Sequence, residues 1–316
     1  MVGPVEGVFL ILIVAQFILG NLGNVFIVLV NGGGWLKSKK MSLPDFIITS
    51  VALSRIILLW IILIDGLLIV FSYDQHSWGT GMQLIDIFWT FTNHLSIWFI
   101  TSLGVLYCLK ISSFSHPAFL WLKWRASLAV VWMLRGSLLI ACASTLSLMN
   151  EFKIYSALLE ISTTGNVTEP LGWDRSEYDL FHVLGNLWKL PALILSLAAY
   201  FLLLLSLGRH TQHMGHHGAG TGDRNTEAHR RALRIIFSFL VTLLLYLLSF
   251  IIVSVSRFLP SVKMAKMIGE VILMLYPSGH SFILILGTKK LKQTFVAMLP
   301  YECGHLNSGS EQTLSA

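Results

Sequence analysis

Seven stretches of this chain, at roughly 7–30, 44–71, 83–109, 127–149, 182–207, 233–256 and 266–286, are each long and apolar enough to cross about 30 Å of hydrocarbon. A lipid interior offers no water to backbone N–H and C=O groups, so a spanning segment must satisfy them as a helix or as part of a closed barrel. A run of about 20 apolar residues specifies the helix. The expected fold is therefore all-α, a seven-transmembrane helix bundle over residues 1–290 followed by a tail over 291–316. Composition agrees, because a chain of 316 residues that is 55% hydrophobic and 12% charged would not stay dissolved as a globular domain. The first apolar run is of full span length and lacks a basic front and a small-residue cleavage site, so no cleavable signal peptide is expected.

An odd number of spans puts the two termini on opposite sides of the membrane, and the basic residues say which side is which. Lys37, Lys39 and Lys40 follow the first span, and Lys110, Lys123 and Arg125 follow the third. Arg209, Arg224, Arg230, Arg231 and Arg234 flank the fifth and sixth, and Lys289, Lys290 and Lys292 follow the seventh. The other side holds Lys153, Arg175, Arg257, Lys263 and Lys266. The positive-inside rule then predicts an extracellular amino terminus and a cytoplasmic carboxy terminus. The net charge of +6 is thus a matter of topology and of contact with membrane lipid. It is dispersed over four loops, which speaks against nucleic-acid binding. In that topology none of Cys108, Cys142 and Cys303 falls in an extracellular loop, so the outer loops are expected to be held by packing without a disulfide.

The third span carries the most information. At helical spacing Asp86, Trp89, Asn93, Ile97, Ile100, Gly104 and Tyr107 share one face, polar and aromatic at its start and apolar further on. Polar groups at membrane depth are costly unless they look into the bundle or a cavity, so the first half of this face is expected to line a pocket. The far end, with Tyr107, Lys110 and the LWLKWR run, points to the opposite compartment. One helix thereby reaches both sides, as transmembrane signalling requires.

Other polar residues at depth need partners. Asn24, near the middle of span one, can hydrogen-bond a neighbouring helix. Arg55 lies about ten residues, or roughly 15 Å, into span two. That is too deep for snorkelling, so its guanidinium is expected to find Asn24, Ser281 or span-seven carbonyls and to act in structure or switching rather than in ligand contact. Span seven contains Pro277, expected to kink it, then His280 and Ser281 near its inner end, with Glu270 about three turns above His280. Glu270 is expected to face the pocket, the alternative being an ion pair with Lys189 or Lys266. Asn166-Val-Thr168 in the long segment 150–180 is an acceptor sequon on the predicted outer side, hence a candidate glycosylation site. His210, His213, His216 and His217 cluster in a glycine-rich segment without thiolates or a rigid frame, so a solvated loop is expected and no metal or other cofactor. The AHRRAL run, which holds His229, is expected to begin the helix that becomes span six.

Taken together the motifs resemble the type 2, or bitter, taste receptor family of G-protein-coupled receptors. The resemblance runs from GNLGNVFI at Gly20 and ALSR at Ala52 through LYCLKISSFSHPAFLWLKWR at Leu106 and SLGRHTQHM at Ser206. It continues with AHRRAL at Ala228 and YPSGHSFILILGTKKLK at Tyr276. Where rhodopsin-like receptors carry DRY after span three this chain has LYCLK, and it has neither CWxP in span six nor NPxxY in span seven. It departs from the family pattern at Thr288, where Asn is usual, and at Leu243, where an aromatic is common. The resemblance implies agonist contacts at Trp89, Thr90 and Asn93, and at Tyr246 and Glu270 of spans six and seven. Tyr246 comes from the resemblance alone.

The expected function is a chemoreceptor of the plasma membrane with no enzymatic step. A small bitter molecule stacks on Trp89 and hydrogen-bonds Asn93, favouring an arrangement that opens a groove among Tyr107, Lys110, His210 and the AHRRAL start for the C-terminal helix of a G-protein alpha subunit. The resemblance further implies a gustducin or inhibitory-type alpha subunit, with phospholipase C and calcium downstream. The alternatives are a vomeronasal type 1 pheromone receptor, and a small transporter, which would show an internal repeat with matching broken helices. An intramembrane hydrolase would need a nucleophile beside His94 or His280, and the sequence offers none.

Overall fold

The computed structural model describes residues 3–72, 80–112, 114–164, 187–215, 223–256 and 262–298, and these are helical apart from short connections, with no strand among them. In order, α1 runs Pro4–Ser38, α2 Leu43–Phe71, α3 Thr80–Ile111, α4 Pro117–Trp124 and α5 Ala126–Thr164. A 3-10 turn at Leu187–Lys189 leads into α6 (Leu190–Gly215), followed by α7 (Asp223–Ser256), α8 (Val262–Gly287) and α9 (Lys289–Met298). Among the described residues seven of these, all but α4 and α9, are long and apolar enough to cross a membrane.

Local chemistry sets several ends. Pro44 lies in the first turn of α2, as its fixed φ favours, and the Ser42 hydroxyl accepts the Asp45 N–H at 3.2 Å. At the start of α1 the Glu6 carboxylate accepts the Gly3 N–H at 2.9 Å. That helix closes at Lys39, which takes the left-handed conformation (φ 55°) and returns its N–H to the Trp35 carbonyl.

Three helices outrun the apolar windows. α5 continues to Thr164, well into the segment expected to be an outer loop, because EFKIYSALLE is rich in good helix formers and has no breaker. α6 continues to Gly215 and α7 already begins at Asp223, so much of the expected histidine loop is helix as well. An aspartate at a helix start is favoured by the helix dipole. His210 and His213 lie on α6 and His229 on α7, with their side chains outside the description. Asn166, His216 and His217 fall outside the described residues.

The spanning helices close into a ring. α1 packs on α2, α2 on α3, α3 on α6, α6 on α7, α7 on α8, and α8 returns to both α1 and α2, while α5 lies against α3 from outside. α3 is the most enclosed. Its polar residues Thr90, Thr92, Asn93, His94, Ser96, Thr101 and Ser102 are all buried, whereas Ile11, Leu29, Trp132 and Leu139 on α1 and α5 point outward. Lipid tails are as apolar as leucine, so a membrane bundle gains nothing by hiding leucines and coheres through close packing and interhelical hydrogen bonds. The α3–α6 contact shows both. The Thr101 hydroxyl pairs with Ser196 at 2.7 Å and donates to the Ala192 carbonyl at 3.2 Å. One turn on, Gly104 lets the Tyr200 ring approach to 3.2 Å of where a β-carbon would sit.

α8 runs without interruption through Pro277. α9 crosses the boundary drawn at residue 290 and lies against α1, with Leu291 buried, Phe295 edge-on to Phe26 at 5.7 Å, and Lys290 donating to Asn31 Oδ1 at 3.1 Å. Lys37, Lys39, Lys110, Lys123, Arg125 and the α9 lysines gather where α1 and α3 end, which makes this the basic face of the bundle. The opposite, amino-terminal face holds the starts of α1, α3, α6 and α8.

Candidate functional site

Toward the amino-terminal face, the polar stripe of α3 looks into the bundle. Asp86 and Thr90 are buried, Trp89 is half-buried, and Asn93, 1% exposed, donates through Nδ2 to the Tyr246 hydroxyl of α7 at 3.0 Å. α3 and α7 are not ring neighbours, so this bond spans the interior and gives the stripe a floor. Lys189, at the 3-10 turn before α6, is buried and sets Nζ 3.9 Å from the Trp89 ring centroid and 6.0 Å from that of Phe250. Asp86, one turn before Trp89, acts on it as the opposing charge. Three side chains, Asp86 and Trp89 of α3 and Phe250 of α7, thus gather around one lysine.

Below that floor the contacts continue through rings. Tyr246 lies 5.0 Å from Tyr276 of α8, and the Arg55 guanidinium sits 4.9 Å over the Tyr276 ring. Arg55 Nη1 donates to His280 Nδ1 at 3.0 Å, His280 stacks on Phe239 at 4.6 Å, and Phe239 meets Tyr200, the ring seated on Gly104. Arginine has no acceptor, so the His280 Nδ1 in that bond carries no proton. An unbroken chain of contacts therefore leads from Asn93 through α7, α8, α2 and α6 back to the lower half of α3.

The placement of Arg55 corrects the expected partners. Its charge is met by His280 and Tyr276, and Asn24 and Ser281 form a separate joint between α1 and α8. There the Ser281 hydroxyl donates to Asn24 Oδ1 at 2.8 Å, and Asn24 Nδ2 donates to the Gly20 carbonyl at 2.8 Å and more weakly to the Pro277 carbonyl at 3.4 Å. Helical period gives the depth of Arg55 and leaves open how far each neighbouring helix is turned.

Glu270 is buried at 3% exposure, yet it faces α2, beside Asp65 and close over Gly66. Neither lysine considered for it becomes a simple ion pair. Lys189 goes to Trp89, and Lys266 approaches Asp65 Oδ2 at 4.0 Å. At the same face Lys263 is bonded to Glu6, tying the start of α8 to the start of α1.

At the basic face Tyr107 is half-buried and Lys110 exposed at the end of α3. Lys123 of α4 donates to the Ser112 carbonyl at 2.8 Å, Arg125 covers the Trp121 ring, and Trp124 is 92% exposed. The groove expected there also involves His210 and His229, whose side chains lie outside the description.

Several residues of the site escaped the sequence. Tyr276, Phe239, Tyr200 and Phe250 read as apolar filling, and only their rings' mutual distances single them out. Lys189 did carry a signal, a lysine between Trp188 and Leu190-Pro191 at the mouth of a span, but such a residue ordinarily snorkels to the interface.

A family model described as taste receptor protein matches residues 1–302. The chain is 63% identical to taste receptor type 2 member 3 of Mus musculus over 311 residues, 98% of each chain. It is 64% identical to the protein of that name from Rattus norvegicus over 312 residues, 99% of each chain. To that from Homo sapiens it is 63% identical over 311 residues, again 98% of each.

Proposed function

The chain belongs to the taste receptor type 2 family, and from that premise we propose that it is a G-protein-coupled chemoreceptor for bitter small molecules, lying in the plasma membrane with its amino terminus outside. The agonist enters from the amino-terminal face and binds among Trp89, Thr90, Asn93 and Tyr246, with Glu270 at the α2 side. The observation that carries this reading is the Asn93–Tyr246 bond beneath the half-buried Trp89. It offers an aromatic wall and a polar floor, the combination that small-molecule sites use for affinity and orientation.

Activation follows from differential affinity, since a ligand that binds both arrangements equally shifts nothing. An agonist that takes a hydrogen bond from Asn93 competes with Tyr246 and so bears on Tyr276, Arg55 and His280. The response at the basic face is a groove among Tyr107, Lys110, His210 and His229 that admits the C-terminal helix of a G-protein alpha subunit. By family likeness this is a gustducin or inhibitory-type subunit that signals through phospholipase C to calcium.

The test is calcium release in cells that carry the receptor and a promiscuous alpha subunit, challenged with a panel of bitter compounds. At matched surface levels Trp89→Ala should raise the half-maximal agonist concentration about tenfold or more, because a buried aromatic contributes on the order of 1 to 3 kcal/mol. Dose responses that stay put for every agonist found would remove Trp89 from the site. Orientation has its own test. Glycosidase should increase the gel mobility of the wild type and leave Asn166→Gln unmoved, whereas a chain bearing no sugar in either form would withdraw the support that Asn166 lends to an outer second loop.

A further inference from the structure

We propose that Arg55 and Tyr276 hold a small inorganic anion, chloride in the cell, on the guanidinium edge formed by Nε and Nη2, and that this ion is the counter-charge of the bundle interior.

A guanidinium keeps its proton in proteins, so burial does not relieve Arg55 of its charge. The side chain is 0% exposed, and a buried charge persists where it is paired and hydrogen-bonded. Its protein neighbours supply no negative charge. Nη1 donates to His280 Nδ1, a nitrogen of a neutral ring, the guanidinium lies 4.9 Å over the Tyr276 ring, and Tyr200 is the other residue that acts on it. Phenols hold their protons at neutral pH, so both tyrosines offer dipoles only. Among the described residues no carboxylate forms an ion pair with Arg55. Asp65 and Glu270, on the same two helices, stand near Lys266 at the amino-terminal face.

The groups left over can all donate. Nε and Nη2 have no hydrogen-bond partner among the described residues, and neither has the hydroxyl of Tyr276, 2% exposed beside them. In the planar fork the Nε and Nη2 hydrogens point the same way along one edge, the edge that grips a carboxylate with two parallel bonds. With Nη1 committed to His280, that edge is left whole. Two N–H groups on one edge and a phenol O–H beside them call for an acceptor that also brings charge. A water molecule accepts these bonds but leaves the guanidinium uncompensated, and a cation is repelled. Full burial of both residues restricts the ligand to an ion of one or a few atoms. Such an ion joins α2 to α8 and so favours the arrangement in which Arg55 faces Tyr276 and His280.

The experiment uses purified full-length receptor in detergent, without agonist, heated at one fixed rate in sodium chloride, bromide or gluconate of equal ionic strength. Gluconate is too large for the edge. Wild type should unfold several degrees higher in chloride or bromide than in gluconate, with a dependence on chloride concentration that saturates, because an ion bound only by the folded chain stabilises it. Tyr276→Phe keeps the ring under the guanidinium and loses the hydroxyl, so the chloride concentration that gives half the shift should rise about tenfold. Arg55→Gln should unfold at one temperature in all three salts, while Lys37→Gln, at an exposed lysine of the basic face, should respond as wild type does. Coincident wild-type midpoints in chloride and gluconate would overturn the inference. So would a chloride shift that survives Arg55→Gln, a shift abolished by Lys37→Gln, or a half-shift concentration untouched by Tyr276→Phe. Where Arg55→Gln yields no folded receptor, the Tyr276→Phe titration decides by itself.

Discussion

Arg55→Ala should silence the receptor toward every agonist alike, and Arg55→Lys should still cut the maximal response several-fold. The guanidinium is fully buried, one nitrogen hydrogen-bonded to His280 Nδ1 and its plane over the Tyr276 ring. Removing the donor leaves the buried His280 Nδ1 without a hydrogen-bond partner, at a cost on the order of 1 to 3 kcal/mol, and opens a cavity beside the Tyr276 ring. Here the loss would also disconnect α2 from the point where Tyr246, Tyr276, His280 and Phe239 meet. Lysine keeps the charge, but a point-like ammonium cannot cover a ring and reach Nδ1 in the fixed geometry of a planar fork. Dose responses to at least two chemically unrelated agonists, normalised to surface level, decide the matter. A normal response from Arg55→Lys, with Arg55→Ala shifting potency for one chemical class only, would make Arg55 a ligand contact and remove it from the transmission path.

Why some of this was legible in the sequence and some was not has a physical cause. Apolar length is fixed by bilayer thickness, so all seven spans could be read, and the inward turn of Asp86, Asn93, Ile97 and Ile100 follows from helical period. Helix ends beyond the hydrocarbon are not set by hydropathy, which is why α5 and α6 run past the windows that located them. Period also gives the depth of a residue on its own helix and says nothing of how two helices are turned toward each other. Arg55 and His280, 225 positions apart, could be seen to need partners and not to be each other's. Lys189 illustrates the reverse limit. Its type and position are those of a snorkelling residue, and only the placement of Trp89 opposite makes it part of the site.

Gly20→Leu is expected to deplete the receptor from the cell surface several-fold, while Gly32→Ala on the same helix should have no effect. The difference lies in what each glycine faces. A β-carbon at Gly20 would fall 2.6 Å from Ser278 Oγ and 2.8 Å from Leu59 Cδ1, whereas one at Gly32 would meet nothing within 4 Å. Ser278 cannot simply turn aside, since its hydroxyl donates to the Gln16 carbonyl at 3.0 Å, and one turn further on Asn24 holds both the Gly20 carbonyl and Ser281. A leucine there must force α1 away from α2 and α8, stretching the hydrogen bonds that join them. Overpacking of this kind costs about 1 to 3 kcal/mol, and a loss of 1 to 2 kcal/mol is roughly enough to change cellular abundance several-fold. Surface labelling of the two variants beside wild type is the measurement. If Gly20→Leu reaches the surface and signals as wild type does, the α1–α8 joint is looser than its hydrogen bonds suggest, and Asn24 and Ser281 would no longer have the close helix contact that gives them a structural role.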